Sequence, residues 1–215
     1  MQTAVPGLFL YPNFITKERE EHLLTEIDNQ IWMIDYARRL QYYGFRNQLE
    51  EPYQLISIPL AIPKEIYSLS KEIVDQKLLE LQPDQVIINE YVPGEGIRPH
   101  KDRNYYKNQI CGINLGSNCI MGFIRGKNLE IIDVEIPQRS MYIMQDEARK
   151  IWTHGIPPRK KDNVKVTLLI KIYNIHRVTS GVFKGKVFRT RSHLHKIISN
   201  IYLDISRECR FGLQL

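Results

Sequence analysis

Residues 85–102 read QVIINEYVPGEGIRPHKD, and they open a series of short β-rich runs that decides the fold. A run of β-branched residues ends at the turn-forming residues 93–96, and a second run carries His100 and Asp102. Six further runs follow, up to residue 175: QICGINLG, CIMGFIRG, LEIIDVEI, SMYIMQDE, IWTHGI and VKVTLLIKIYNI. Short runs at this spacing predict a β sandwich or jelly roll rather than a parallel sheet with crossover helices.

Two amphipathic segments precede the β-rich region. In residues 15–31, Thr16 can cap a helix that has Glu18 and Glu20 in its first turn. Residues 63–81 contain a second helical pattern. Its apolar stripe comprises Ile66, Leu69, Ile73 and Leu78. Residues 32–62 are irregular and aromatic and favour short strands or loops, so the sequence predicts a mostly β fold with flanking helices.

The composition is typical of a single intracellular domain. At 215 residues and 25.4 kDa the chain can bury one core. Its three cysteines include no CxxC pair, which disfavours a disulfide framework or a thiolate metal site. Pro6 and Pro12 interrupt the short N-terminal apolar stretch, and no window approaches the roughly 20 apolar residues of a membrane span. We expect a monomer, cytoplasmic or nuclear, without membrane contact.

The net charge of +6 is confined to the C-terminal end. Residues 176–215 contain eight Lys and Arg against Asp204 and Glu208, whereas residues 1–175 contain 22 basic and 22 acidic groups. We therefore divide the chain into a domain at 1–175 and a basic C-terminal extension at 176–215. The extension favours an anionic partner, with nucleic acid first among the candidates, although a solvated tail is the alternative.

His100, Asp102 and His154 form a candidate metal site. Side chains at positions i and i+2 of a strand leave the same face, so His100 and Asp102 can share an ion. His154 follows 52 residues after Asp102, and a strand folded opposite would bring it to the same ion. Two histidines and one carboxylate leave three coordination positions open, which suits non-haem Fe(II), whereas structural zinc would require four ligands.

Two other strands carry polar residues suited to a small acid. Asn89 and Tyr91 share one face of the strand before His100. The last run has a polar face opposite an apolar one. That polar face comprises Lys165, Thr167 and Lys171. A buried lysine needs an anion, and a dicarboxylate such as 2-oxoglutarate would supply it; the alternative is that both lysines face solvent.

These segments together resemble the AlkB family of Fe(II)/2-oxoglutarate dioxygenases. The similar stretches are INEYVPGEGIRPHKD, INLGSNCIMGF, RSMYIMQDEARKIWTHGIPPRKKD and KVTLLIK, within a similarity that runs from about Pro6 to Tyr173. The N-x-Y-x-x-G, H-x-D, H-G-I and basic-x5-basic elements occur in the family's order. Each element is weak alone, but jointly they are specific.

The resemblance implies a double-stranded β-helix, a jelly-roll variant, with helices outside its larger sheet. It implies that His100, Asp102 and His154 bind Fe(II). It implies that Asn89 and Tyr91 hydrogen-bond 2-oxoglutarate, that Lys165 pairs with its distal carboxylate and that Lys171 lies near its proximal end. Thr167, on the same polar face, is a further candidate to bind 2-oxoglutarate. The family has arginine at positions 165 and 171, and lysine keeps the charge but loses the bidentate fork. The implied reaction consumes O2, converts 2-oxoglutarate to succinate and hydroxylates a C–H bond; a methyl group on nitrogen would leave as formaldehyde.

In the family, the segment before the jelly roll covers the bound base. Here it is IWMIDYARRLQYYGFRNQLEEPY, residues 31–53. Its candidate substrate-binding residues are Arg38, Arg39, Tyr42 and Tyr43. Aromatic faces with interleaved cations suit a flipped or single-stranded base, although such aromatics can also be core residues. Asn104 stands where repair enzymes of the family carry an acidic residue, which favours hydroxylation of a modified tRNA nucleoside over base repair.

We therefore predict a dioxygenase that oxidises an alkylated or modified base in single-stranded or looped nucleic acid, by demethylation or hydroxylation, with RNA or tRNA favoured over DNA. Two alternatives stay open at this point. One is an oxygenase or demethylase that acts on protein, and the other is a non-catalytic, metal-bound jelly-roll module.

Overall fold

The computed structural model describes residues 1–35, 38–47, 55–126, 130–158 and 167–175. The helices in these ranges are α1 (Lys17–Asp28), α2 (Lys64–Asp75) and α3 (Asp146–Lys150). The strands are β1 (Leu8–Tyr11), β2 (Met33–Asp35), β3 (Arg38–Tyr43), β4 (Phe45–Asn47), β5 (Leu55–Ser57), β6 (Gln85–Tyr91), β7 (Ile97–His100), β8 (Tyr106–Leu115), β9 (Cys119–Arg125), β10 (Glu130–Ile136), β11 (Met141–Met144), β12 (Thr153–Ile156) and β13 (Thr167–Ile175). No helix within these ranges is long and apolar enough to cross a bilayer.

Strands β6 to β13 alternate between two antiparallel sheets, except that β9 and β10 are neighbours in the small sheet. The large sheet has the order β1-β11-β8-β13-β6-β3-β2, and the small sheet has the order β10-β9-β12-β7. A third, two-stranded sheet pairs β4 with β5. The passage of the chain back and forth between the two sheets is typical of the double-stranded β-helix that the family resemblance implied.

The large sheet separates two hydrophobic cores because its strands alternate sides. On β13, Leu168, Ile170 and Ile172 pack in the core that contains the buried faces of α1 and α2. Leu169 and Tyr173 pack in the other core, together with Phe123 of the small sheet. Both faces of the strand are therefore buried, which explains why TLLIKIYNI is nearly continuously apolar.

The predicted start of α1 is confirmed. The Thr16 hydroxyl accepts a hydrogen bond from the Arg19 backbone N–H at 3.2 Å. Glu20 in the first turn is buried, and its carboxylate accepts from the Gly116 backbone N–H at 2.8 Å and from Arg139 Nη1 at 3.2 Å. These bonds join the helix to the loops that follow β8 and β10.

The predicted second helix ends earlier than its apolar stripe suggested. α2 stops at Asp75, and Lys77 adopts a left-handed conformation with φ 60°. The Leu78 N–H then donates to the Ile73 carbonyl at 3.1 Å, as in a Schellman motif. Leu78 therefore reaches the helix-side core from beyond the helix, and its prediction as a helical residue was wrong.

The two candidate histidines lie on neighbouring strands of the small sheet. His154 of β12 is directly opposite His100 of β7. Glycines allow these strands to approach closely: a Cβ on Gly155 would lie 2.7 Å from the Ile97 carbonyl oxygen, and one on Gly96 would lie 2.2 Å from that of Ile156. The H-G-I element therefore needs its glycine for the approach of β7 to β12.

Residues 176–215 lie outside the described residues, as does Lys165. The division into a domain at 1–175 and a basic extension therefore stays a prediction.

We predict that Gly155→Ala displaces β7. The new methyl group would meet backbone atoms of residues 97–99, so we expect about 1–3 kcal/mol lower free energy of unfolding in urea, as is usual for overpacking. Gly122→Ala is the matched control, because Gly122 lies opposite Gly155 but its Cβ would meet the end of the Asp133 side chain at 3.2 Å and backbone no closer than 4.0 Å. Equal stability losses in the two variants would contradict the prediction.

Candidate metal centre and its pocket

His100, Asp102 and His154 converge on one point. Each can offer a ligand atom, and the three atoms lie within 4.8 Å of one another. Asp102 Oδ1 is 3.8 Å from His100 Nε2, and Asp102 Oδ2 is 3.5 Å from His154 Nε2. Asp102 and His154 are buried, whereas His100 is half-buried. Spacings of this order fit three ligands on one face of a single ion.

The ring of His100 is already oriented for metal binding. Its Nδ1 lies 2.8 Å from the Arg98 carbonyl oxygen, so this nitrogen carries the proton and Nε2 is free to coordinate. Burial and the nearby Lys171 lower the pKa of His100, which also favours the neutral ring. For the same reasons the pKa of His154 falls to about 3. Both imidazoles are therefore neutral ligands at neutral pH.

Asp102 is a buried carboxylate surrounded by cations. Burial alone would raise its pKa, but the charges nearby, with Lys171 the strongest, hold the pKa of this carboxyl well below its usual range. Lys171 Nζ lies 3.4 Å from Asp102 Oδ1 and 3.3 Å from His154 Nε2. Asp102 therefore stays ionised and available to a metal.

Asp102 lies just beyond the end of β7, which stops at His100. The alternation of side chains along a strand therefore does not fix its position. The buried Arg149 of α3 fixes this loop instead. Its Nη1 donates to the Asp102 carbonyl at 2.9 Å, and its Nη2 donates to the Arg103 carbonyl at 2.6 Å. Since α3 leads directly into β12, Arg149 links the loop of Asp102 to the segment that carries His154.

Lys171 and Tyr142 form a donor pair on the inner face of the large sheet. They flank Gly112 of β8, which pairs with both residues. The Tyr142 ring covers Gly112, since a Cβ there would lie 2.1 Å from Tyr142 Cζ. The Tyr142 hydroxyl is buried without a hydrogen-bond partner in the described part of the chain, and burial raises its pKa well above the ordinary value. A protonated donor of this kind beside a lysine fits a bound carboxylate.

Asn89 and Tyr91 line one cavity together with His100 and Asp102, as their shared strand face suggested. Arg38 Nε donates to Asn89 Oδ1 at 3.0 Å, which turns the Asn89 amino group away from Arg38. The Arg38 guanidinium also lies over the Tyr91 ring, 5.4 Å from its centre. Arg38, predicted to bind substrate, thus also orients a candidate co-substrate residue.

The cavity has a volume of about 710 Å³ and opens beside His100. Tyr173 leads from the metal ligands to its aromatic wall: its hydroxyl lies 3.4 Å from Asp102 Oδ1, and its ring stacks on that of Tyr106 at 4.1 Å. Tyr42, Tyr105 and Asn47 complete this wall. Tyr42 was predicted at the site, whereas the other wall residues were not.

Two predicted substrate residues, Arg39 and Tyr43, lie away from the cavity, unlike Arg38 and Tyr42, which line it. Residues 38–43 are strand β3 of the large sheet, so alternate side chains leave opposite faces. Arg39 points outward, pairs with Glu90 at 2.5 Å and covers the Trp32 ring. Tyr43 packs in the helix-side core and donates to Gln41 Oε1. In the segment that covers the base in the family, residues 38–43 therefore form a strand rather than a loop.

Two further predicted residues, Asn104 and Thr167, do not line the cavity. Asn104 is exposed on the loop beyond Asp102. Thr167 is on the Lys171 face of β13, with its hydroxyl 2.7 Å from that of Ser117. Since Lys165 is not described, its predicted role in binding the far carboxylate of 2-oxoglutarate stays a prediction. Tyr142, Arg149 and Tyr173 were missed; Gly112 within a strand was the available sequence clue to the ring of Tyr142.

The residues present fit Fe(II) and 2-oxoglutarate. Two neutral imidazoles and one carboxylate would hold the metal and leave positions for a bidentate co-substrate and O2. Asn89, Tyr142 and Lys171 supply donors for carboxylate groups. When bound, iron with 2-oxoglutarate and O2 supplies the oxidising chemistry, while the protein positions the reactants and limits the access of water.

Comparison with known proteins agrees with this geometry. The profile of the 2OG-Fe(II) oxygenase superfamily matches residues 7–179. The chain is 45% identical over 183 residues to "Uncharacterized protein L905" of Acanthamoeba polyphaga mimivirus, which covers 84% of this chain and 87% of that protein. It is 33% identical over 175 residues to the tRNA (carboxymethyluridine(34)-5-O)-methyltransferase alkbh8 of Xenopus tropicalis, which covers 75% of this chain. The match spans only 27% of that methyltransferase.

A solved structure confirms the fold. The structure of OsALKBH1 superposes with a TM-score of 0.62, covers 80% of this chain and 100% of that one, and is 14% identical in sequence. At this identity the similarity concerns the fold alone.

We predict that Lys171→Met destabilises the metal-free protein and increases the stabilisation by metal. Removing one partner of a buried charge pair costs about 3–5 kcal/mol, so the unfolding midpoint should fall. Added Co(II), used as a redox-stable probe, should then raise that midpoint more in the variant than in the wild type, because Lys171 no longer competes for Asp102. Lys71→Met removes a lysine from an exposed pair and is the control. A Co(II) shift equal to that of wild type would contradict the prediction.

We also predict that Arg149→Gln weakens metal binding while the fold is retained. Loss of a group that orients a ligand typically costs about 10–100-fold in metal affinity, which Co(II) titration would measure. Arg149→Lys should recover only part, since lysine lacks the planar fork. Arg125→Gln is the control, because Arg125 contacts Trp152 and Glu147 of α3 but not the loop of Asp102. Undiminished affinity in a folded Arg149→Gln protein would refute the role.

Proposed function

Since the chain belongs to the 2OG-Fe(II) oxygenase superfamily, we propose that it oxidises a base in nucleic acid, with RNA presented single-stranded or in a loop as the substrate. The chain is an AlkB-like dioxygenase that uses Fe(II), 2-oxoglutarate and O2. The predicted enzyme class and cofactors are thereby confirmed, and the non-catalytic alternative is excluded.

The observation that carries the proposal is the charge around the cavity. Four basic residues, here called the cationic rim, line it in addition to Lys171: Arg38, Arg98, Lys101 and Arg103. Arg98, Lys101 and Arg103 are exposed. Asp102, itself a metal ligand, is the only acidic residue among the described residues that line the cavity. Although residues 1–175 are neutral in total, the surface beside the metal is cationic and suits phosphates.

The cavity itself suits a base. Its wall of tyrosines offers aromatic faces on which a base can stack, and stacking of this kind is typical of proteins that bind single-stranded nucleic acid. A base within a duplex could not reach the buried ligands without leaving its stack. Cationic rim and aromatic wall together therefore favour an unpaired nucleotide.

RNA is favoured because the Xenopus relative is named for an activity on tRNA, and because the exposed Asn104 lacks the charge that repair enzymes carry at this position. If the oxidised carbon is bound to carbon, a stable alcohol is the product; if it is bound to nitrogen, the group leaves as an aldehyde. The basic extension at 176–215 would add affinity for phosphates rather than chemistry.

We predict that the full chain, incubated anaerobically with Fe(II), 2-oxoglutarate and mixed RNA, DNA and protein and then exposed to air, adds oxygen to a base in RNA or removes an alkyl group from it. Mass spectrometry of each pool would detect the change. His100→Ala should abolish it, because a metal ligand is lost. Oxidation of the protein pool alone would overturn the nucleic-acid assignment.

We further predict that Arg98→Gln with Lys101→Gln weakens RNA binding and lowers the slope of log affinity against log salt by about two, roughly one for each phosphate that is no longer neutralised. Lys17→Gln with Lys71→Gln removes the same charge from exposed pairs on the helices and is the control. A chain that ends at His176 should likewise show a shallower slope. Identical slopes in wild type and rim variant would contradict the role of the rim.

A further inference from the structure

We infer that Asn47 reads the substrate base by donating a hydrogen bond from its side-chain amino group to the carbonyl oxygen at position 4 of uracil or at position 6 of guanine. The site would thus accept a keto base, uracil or guanine, rather than cytosine or adenine. The inference rests on the proposed function. It follows from a chain of hydrogen bonds that leaves only one orientation for the Asn47 amide.

The chain begins at Gln85, a fully buried residue of β6. Its Nε2 donates to the Phe45 backbone carbonyl at 2.8 Å. A carbonyl oxygen can only accept, so this contact requires the nitrogen of Gln85, not its oxygen, on that side. The same Nε2 lies 3.4 Å from Asn47 Oδ1. Gln85 therefore presents a donor to Asn47 as well.

Asn47 must then present its oxygen to this group. Reversing the amide would bring Nδ2 against Gln85 Nε2, two donors in contact. Two tyrosine hydroxyls, of Tyr106 at 2.9 Å and of Tyr105 at 3.2 Å, also donate to Oδ1. The acceptor capacity of Oδ1 is filled from the protein side. Nδ2, in contrast, has no partner among the described residues.

Asn47 lies where a bound base would meet it. It lines the metal cavity, at the end of the wall that runs from Asp102 through Tyr173 and Tyr106. Because its partners are themselves buried or half-buried, the amide is held before substrate arrives. Preorganised donors favour an acceptor on the ligand, and an amino group placed there would leave two donors facing each other.

Uracil and cytosine provide the sharpest comparison. They have the same ring, but position 4 carries a carbonyl oxygen in uracil and an amino group in cytosine. Guanine and adenine differ in the same way at position 6. An oriented Nδ2 donor therefore distinguishes members of each pair without any difference in size.

The test uses four RNA stem-loops that share one stem and have loops of only U, G, C or A. Binding to the full-length Co(II) protein, with 2-oxoglutarate, is measured by fluorescence anisotropy. We expect the wild type to prefer the U or G loop over its amino counterpart by about fivefold to a hundredfold, the range for a base-reading contact. The U and G arms identify which keto base is bound.

Asn47→Asp is the decisive variant. Its carboxylate still accepts from both tyrosines and from Gln85, but it replaces the donor with an acceptor, so the preference should reverse towards C or A. Asn47→Ala, which has neither group, should lose the preference without reversing it. Asn13→Asp makes the same substitution at an exposed turn after β1 and should retain the wild-type order.

Two results separate the inference from the function on which it rests. If the wild type binds all four loops equally, or if Asn47→Asp keeps the wild-type order, the role of Asn47 is refuted while action on RNA stands. If the wild type binds none of the loops and oxidises no nucleic acid, both the role of Asn47 and the proposed function are refuted. The wild-type comparison decides the matter even if the Asn47 variants do not fold.

Discussion

The buried carboxylate of Asp102 is the constraint on which the rest of the site depends. An ionised carboxylate in the interior is costly unless cations and donors surround it, and Lys171, Tyr173 and the two histidines all face it. Its loop lies outside the sheet, so Arg149 holds the backbone where strand hydrogen bonds cannot. Asp102 thus depends on contacts from four separate parts of the chain: β7, α3, β12 and β13.

The jelly roll provides this arrangement through the opposition of its two sheets. The small sheet contributes the histidines from adjacent strands, and the large sheet contributes Lys171, Tyr142 and Asn89 from its inner face. Because side chains alternate along each strand, the same strands build a helix-side core with their other face. Adjacent positions on one strand therefore serve different purposes: Tyr42 lines the cavity, whereas Tyr43 packs in the helix-side core.

Polarity divides the cavity into two regions. Near the metal, donors for carboxylates surround a single anion, whereas the outer wall consists of tyrosines and the amide of Asn47 beneath exposed cations. The inner region suits the co-substrate and the outer region suits a nucleotide. Their separation allows a co-substrate common to the whole family to be combined with a substrate-specific wall.

The sequence by itself determined the β-rich fold, the cap of α1 and the metal ligands, since alternation, capping and ligand chemistry depend on residues a few positions apart or on motifs that keep their order. It also placed Asn89 and Tyr91 on one strand face. Only the tertiary structure decided that Arg39 and Tyr43 turn away from the cavity, and that Arg149, Tyr142 and Asn47 belong to the site. These outcomes depend on which strand pairs with which and on hydrogen bonds between residues 38 to 59 positions apart. Local patterns contain no such information.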